Sequence, residues 1–319
     1  MFFEITKVDE NRPINFMNMS KPTAILSVIL LLIAIVSLST RGLNWGLDFT
    51  GGTLVEVGFS QPANLEELRD VLAANEFDDA IVQNFGSSRD VLVRVPPRLE
   101  AENADAIGEQ LFRLLSTEVD SNLDLRRVEF VGPSVGEELA EAGGLAMIVA
   151  AICILIYVSF RFEWRIALAS VIGLVQDVIM VLGLFSLLQV QLDLTILAAL
   201  LAVIGYSLND SIVISDRIRE NFLKLRNTEV PDVINISLSQ CLSRTLITSL
   251  TTIMVLLTLY FFGGQMVNGF ALAMLVGVVV GTYSSTFTRT TIMIALGISR
   301  EDLLPPEVEK EGQDQENMI

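Results

Sequence analysis

The chain has 319 residues, 51% of them hydrophobic and 18% charged, with a mean hydropathy of +0.55 and a formal net charge of −17. That is too apolar for a soluble domain and fits a multi-span membrane protein. The acidic balance argues against nucleic acid as a partner, and two cysteines with no histidine remove zinc sets and His-based triads.

The N-terminal segment 1–21 carries Lys7, Arg12 and Lys21 and leads into a first apolar stretch at 22–40. No small-residue cleavage site precedes Arg41, so this stretch is expected to be a retained helix rather than a signal peptide. Segment 41–141 then reads as strand, helix, two strands, helix, strand. "TLVEVGF" alternates Leu54 and Glu56 against Val55 and Val57. "NLEELRDVLAANEF" opens on Asn64 and Glu67, a capping-box pattern. "AIVQNF" and "DVLVRV" flank "GSSR" as a hairpin, closed by Pro96 and Pro97. Ile107, Leu111, Leu114 and Leu115 share one face of a second helix, and "LDLRRVEFVG" is the last strand. The βαββαβ order predicts an α+β, ferredoxin-like split-βαβ domain.

Five more apolar stretches follow, at 143–160, 165–189, 194–215, 245–262 and 268–297, each near the ~20 residues a helix needs to span a bilayer. Segment 216–244 is expected as a polar loop and 298–319 as an acidic tail. Cys153 and Cys241 read as packing residues. The fold expected is thus a polytopic α-helical membrane protein with six transmembrane helices and one external α+β domain. Arg161 and Arg165 lie between spans 2 and 3, and Arg217, Arg219, Lys224 and Arg226 between spans 4 and 5. With the N-terminal basic residues they share one side, which the positive-inside rule makes cytoplasmic. Both termini are then cytoplasmic, and 41–141, with 8 basic and 20 acidic residues, is periplasmic.

Ionisable groups inside a span are functional candidates because each costs roughly 2.5–3.5 kcal/mol at mid-helix on insertion scales. Two stand out, Asp177 and Asp210. Asp210 precedes the border residue Arg217 by about 10 Å of helix, and Asp177 follows Arg165 by about 18 Å. Arg244 opens span 5 from the same side and reaches the level of Asp210. Arg244, Thr248 and Thr251 form one polar stripe, and Ser207, Asp210 and Ser211 another, with Asn209 beside it. Two readings stay open: Asp210–Arg244 as a structural pair, or Asp210 as a cation-binding carboxylate whose affinity Arg244 biases, with the hydroxyls and Asp177 forming an ion pathway. In span 6, Gly269, Ala273, Gly277, Gly281 and Ser285 recur every four residues. This small-residue stripe is either a static packing surface or one that slides. Gly42, Gly46, Gly51, Gly52, Gly143 and Gly144 are either hinges or plain linkers.

These residues carry a resemblance. "GLDFTGGTLVEV", "FVGPSVGEEL", "FRFEWR", "IGYSLNDSIVISDRIREN", "SRTLITSLTT" and "YFFGGQMVNGFALAMLVGVVVGTYSS" together resemble the SecF family, within the resistance–nodulation–division superfamily. The resemblance covers nearly the whole chain. It implies pairing with SecD into a twelve-span unit that uses ion flow to assist export of preproteins through SecYEG. It also implies YajC and YidC as further partners, no cofactor, and no enzyme activity. It assigns cation coupling to the aspartate of "ND" and the arginine of "RTLITS", here Asp210 and Arg244. Where many family members carry His-Asp in span 3, this chain has Gln176-Asp177. A His-based proton relay is thereby excluded. The oxygen ligands present, including the Gln176 carbonyl, suit sodium, so the coupling ion is H+ or Na+. Competing readings are a small-molecule exporter half, an intramembrane aspartyl protease using Asp177 and Asp210, and a passive scaffold.

Overall fold

The computed structural model describes residues 13–97, 104–225 and 227–299. Lys7, Arg12, Arg226 and the acidic tail beyond residue 299 lie outside them. A 3-10 turn leads into α1 (Ser20–Thr40), followed by β1 (Asn44–Trp45), α2 (Leu47–Thr50), β2 (Gly52–Gly58) and α3 (Leu65–Ala74). Next come β3 (Ile81–Phe85), β4 (Ser87–Val95), α4 (Ala104–Glu118) and β5 (Asp124–Val131). The rest is helical: α5 (Pro133–Arg161), α6 (Trp164–Leu188), a two-residue β6 (Gln191–Leu192), α7 (Leu194–Lys224) and α8 (Val230–Phe262). The last rod is α9 (Gln265–Tyr283), a π-helical segment Ser284–Thr288, and α10 (Arg289–Ala295). Among the described residues six helical rods are long and apolar enough to cross a membrane.

The helices outrun their apolar stretches. α5 begins at Pro133, where a proline at the first turn loses no helical hydrogen bond. α7 and α8 continue through most of 216–244, so the expected loop shrinks to the connection around Leu225 and residues 227–229. Helical hydrogen bonding does not stop where hydropathy falls, and here polar side chains join the extensions. The Asn221 amide donates to Ser237 Oγ (2.8 Å) and Gln240 Oε1 (2.9 Å). The start of the chain is tied to the same region by Met17 N–H donating to Asn235 Oδ1 at 2.9 Å. Cys241 is therefore a buried helical residue rather than a loop one.

Sheet order is β3-β4-β2-β5, every pair antiparallel. Each βαβ half thus has a strand of the other half between its two strands, the split arrangement. Val55, Val57, Val91 and Val93 on the sheet, with Leu68, Leu72, Leu111 and Leu115 on α3 and α4, form its core. Asn64 caps α3, accepting from Glu66 N–H at 3.2 Å. The hairpin turns more tightly than "GSSR" suggests, around Gly86, because Ser87–Arg89 already belong to β4.

The other sheet face rests on α2 and on the corner between α6 and α7. Leu54 and Leu92 pack on Leu47. Arg94 donates to the Trp45 carbonyl (2.7 Å) and Thr50 Oγ1 (2.6 Å), and its partial burial draws its pKa below the ordinary arginine value. β1 pairs in parallel with β6, in what the hydropathy pattern presents as a bare loop. A Cβ on Gly46 would stand 2.6 Å from the Leu192 carbonyl, and Gly52, at φ +116°, lets the start of β2 lie close against the Val95 carbonyl. At the first turn of α7 two carboxylates meet the free amides: Asp193 accepts from Ile196 N–H (2.8 Å) and Asp48, from α2, accepts from Leu194 N–H (2.9 Å).

The small-residue stripe of the last rod lies against α7. A Cβ on Gly269 would come within 3.0 Å of Ile196, one on Gly277 would overlap Val203, and one on Gly281 would stand 2.9 Å from Ser207 Oγ. Ala273 is fully buried. Gly277→Leu should destabilise the chain by about 1–3 kcal/mol through overpacking. Reversible unfolding in mixed micelles measures this, with Leu at the open position Gly205 as the neutral control.

Candidate cation-binding site

Three rods bring their polar residues together in the middle of the bundle. α6 contributes Gln176 and Asp177, α7 contributes Ser207, Asp210 and Ser211, and the last rod contributes Ser284, Ser285 and Arg289. α8 adds Thr245. The two carboxylates receive different partners.

Asp177 is sealed by charge. Arg289 Nη2 stands 2.6 Å from Asp177 Oδ2, and both side chains are 1% exposed. The same guanidinium donates to Ser207 Oγ (2.6 Å) and to the Ser207 carbonyl (2.8 Å), while Ser207 Oγ donates to Asp177 Oδ2 (2.6 Å). Gly173, one turn before Asp177, makes the space: a Cβ there would overlap Arg289 Nε and Cγ. The span-6 arginine is a third intramembrane ionisable residue that the reading of the sequence missed. Its signal was present, a single Arg within the run 268–297.

Asp210 is half-buried and held by neutral groups. Thr245 Oγ1 donates to its Oδ1 at 2.8 Å and Ser285 Oγ to its Oδ2 at 2.6 Å. Among the described residues no ion pair joins it to Arg244, and the expected Asp210–Arg244 contact is corrected to Asp210–Thr245. Axial depth fixes the level of a residue on a helix but not its bearing, and successive residues point about 100° apart. Arg244, Thr248 and Thr251 are exposed, and among the described residues none of their side chains bonds Asp210. Asn209 is exposed too. Ser207 turns to Asp177 and Arg289 rather than to Asp210. Ser211 and Gln176 are buried, and neither Ser211 Oγ nor Gln176 Nε2 has a hydrogen-bond partner among the described residues. Ser285, expected as a packing residue, is a direct partner of Asp210, whereas Gly269, Ala273, Gly277 and Gly281 only pack.

Around Asp210 the polar path continues both ways. Towards the sheet domain, Ser249 Oγ shares a hydrogen bond with Thr282 Oγ1 (2.8 Å) and accepts a longer one from Tyr206 (3.4 Å). Towards the far end lies a cavity of about 580 Å³ bordered by Ile212, Asp216, Arg217, Arg219, Glu220 and Arg244. A hydroxyl can donate or accept, so Thr245 and Ser285 can serve an ionised carboxylate, a protonated one, or a carboxylate sharing a small hard cation. Asp177 lacks that latitude, because a permanent cation already compensates it. A carboxylate dyad of the protease type needs two acids sharing one proton, and here each has separate partners.

Arg289→Met strands a buried carboxylate and should cost about 3–5 kcal/mol, whereas Asp177→Asn combined with Arg289→Met should recover most of it. Unfolding of the purified single and double variants in mixed micelles checks the pair.

Comparison with known proteins gives this geometry its context. The family model described as "Protein export membrane protein SecD/SecF, C-terminal" matches residues 112–299, and that of the "SecD/SecF GG Motif" matches 36–63. The chain is 52% identical to the protein translocase subunit SecF of Vibrio alginolyticus over 99% of both chains. It is 49% identical to that of Escherichia coli O157:H7, over 92% of this chain and 91% of the relative. A solved SecDF from Thermus, a translocon-associated membrane protein, superposes with a TM-score of 0.81 at 36% identity over 90% of this chain. SecDF in a super-membrane-facing form gives 0.66 at 37% identity over 89% of this chain. The chain spans 39% of the length of each of those SecDF chains. With half-identical relatives matched over nearly their full length, the chain belongs to the SecF family of protein translocase subunits.

Proposed function

We propose that this chain pairs with a SecD subunit and converts cation flow through the membrane into work on preproteins leaving the SecYEG translocon. The observation that carries this reading is the contrast between the two carboxylates. Asp177 has a permanent counter-charge, whereas Asp210 has two hydroxyls, and a polar cavity begins two residues further along α7 at Ile212. Asp210 is the carboxylate free to load and release a proton or a sodium ion. Arg244, at the cavity, sets a positive potential that biases which cation arrives and how firmly it stays. One charge crossing 100 mV supplies about 2.3 kcal/mol, enough to bias a conformational equilibrium.

The orientation belongs to the same proposal. Arg161, Arg165, Arg217, Arg219 and Lys224 gather at the end of the bundle opposite the sheet domain, so that end faces the cytoplasm of an inner membrane. The sheet domain is then periplasmic, where the translocating chain emerges. Binding and release of an ion need no covalent chemistry, and the role is non-enzymatic, without a cofactor. YajC and YidC are the further membrane partners this role accommodates.

Asp210→Asn should abolish the stimulation of preprotein export by a membrane potential in vesicles carrying the full complex. Arg244→Met should weaken it. Unchanged export in Asp210→Asn would leave the chain a scaffold. Varying sodium at fixed pH and potential identifies the ion, since indifference to sodium leaves the proton.

A further inference from the structure

The last rod does not cross the site as a plain α-helix. At Ser284–Thr288 it widens into a π turn, and the Arg289 N–H bonds the Ser284 carbonyl five residues back. Such turns are rare and frequent at functional sites. This one lies between two partners of the site. Ser285 donates to Asp210 on α7, and Arg289, four residues on, closes on Asp177 of α6 and on the Ser207 carbonyl of α7. From its other side α1 holds the same segment, Ser27 Oγ standing 3.0 Å from Thr288 Oγ1.

We propose that Ser285 is a direct member of the Asp210 cation site and that Arg289 is its positioning residue, acting through the π segment. The inference rests on the reading of Asp210 as the cation-loading carboxylate. Arg289 is anchored to both α6 and α7, so the register of the π segment is set at its far side, and the Ser285 hydroxyl is delivered to Asp210 Oδ2 at 2.6 Å. The charged groups nearest the site are Asp177 on α6 and Arg289 on α10, with Asp216, Arg217, Arg219 and Glu220 of α7 and Arg244 of α8 at the cavity. Arg289 makes no ion pair with Asp210 among the described residues. Besides its electrostatic attraction to Asp210, it acts through the position of a neutral donor. Loading reverses the demand on that donor. An ionised Asp210 needs the Ser285 proton, whereas sodium on Asp210 needs the Ser285 oxygen. The hydroxyl turns, and the strain falls on the π segment and its Arg289 anchor.

The test uses the full complex reconstituted in vesicles, with export followed against pH at fixed sodium and against sodium at fixed pH, under one potential. Ser285→Ala should shift the half-saturating cation concentration about tenfold, the worth of one hydrogen bond to a charged group. For sodium, loss of the oxygen raises the concentration needed; for the proton, loss of the donor lowers it. Gly173→Ala keeps every charge but pushes a methyl into Arg289, and Arg289→Lys keeps the charge while losing the two-helix clamp. Each should shift the half-point in the same direction as Ser285→Ala, and combining either with Ser285→Ala should add little further. A wild-type half-point in Ser285→Ala removes Ser285 from the site. A shift in Ser285→Ala with none in Gly173→Ala and Arg289→Lys, or shifts that add in full, removes the positioning role. Cation dependence that persists in Asp210→Asn overturns the reading of the site itself, separately from this inference.

Discussion

Everything in the membrane half is arranged around one ion pair that no water reaches. Asp177 and Arg289 come from rods far apart in the sequence, and each alone would be costly to place there. Together, with Ser207 supplying a hydroxyl and a carbonyl, they fasten α6, α7 and α10 at one level. Gly173 is part of the same device, since its missing side chain is the slot in which the arginine lies. An ion pair this enclosed has one geometry, and it fixes the azimuth of three helices that lipid-facing leucines and valines leave undetermined. Apolar surface gives little preference between helix and lipid, so close small-residue contact and polar pairing decide how the rods meet.

That fixed pair gives the second carboxylate its freedom. Asp210 sits one turn from Ser207 on the same helix, yet among the described residues its hydrogen-bond partners are hydroxyls alone. In a low-dielectric interior the difference is large, because a carboxylate beside a permanent cation gains little from another positive charge, whereas one held by dipoles gains much. The bundle thus contains a charge that is settled and a charge that is open, a helical turn apart. The protease alternative weakens on the same ground.

How much was legible in the residues follows from what each pattern encodes. Apolar length located six rods, and alternation at Val55, Val57 and the 91–95 strand located the sheet domain. The ends of α7 and α8 were not legible, because hydropathy reports contact with lipid while helix propagation depends on backbone bonds and partners such as Asn221 and Ser237. Asp210 was visible as an anomaly in an apolar run. Its partner was misread because depth along a helix says nothing about bearing, and Thr245 and Arg244, one residue apart, face different ways. Arg289 was not legible as a buried partner because a single arginine near the end of an apolar stretch reads equally well as a border residue at the membrane surface. The two-residue ladder of β1 with β6 is too short for any periodicity to announce.

That ladder and its surroundings give α7 an unusual mechanical standing. Its first turn is gripped by Asp48 and Asp193, and the same corner carries the pairing of β6 with β1 on which the sheet domain sits. Asp210 lies sixteen residues further on, about 24 Å down a single unbroken helix. A stiff rod clamped at one end to the domain's footing and carrying Asp210 near its midpoint is a lever. Between Asp210 and that footing the helix is continuous, with no break in its backbone hydrogen bonding.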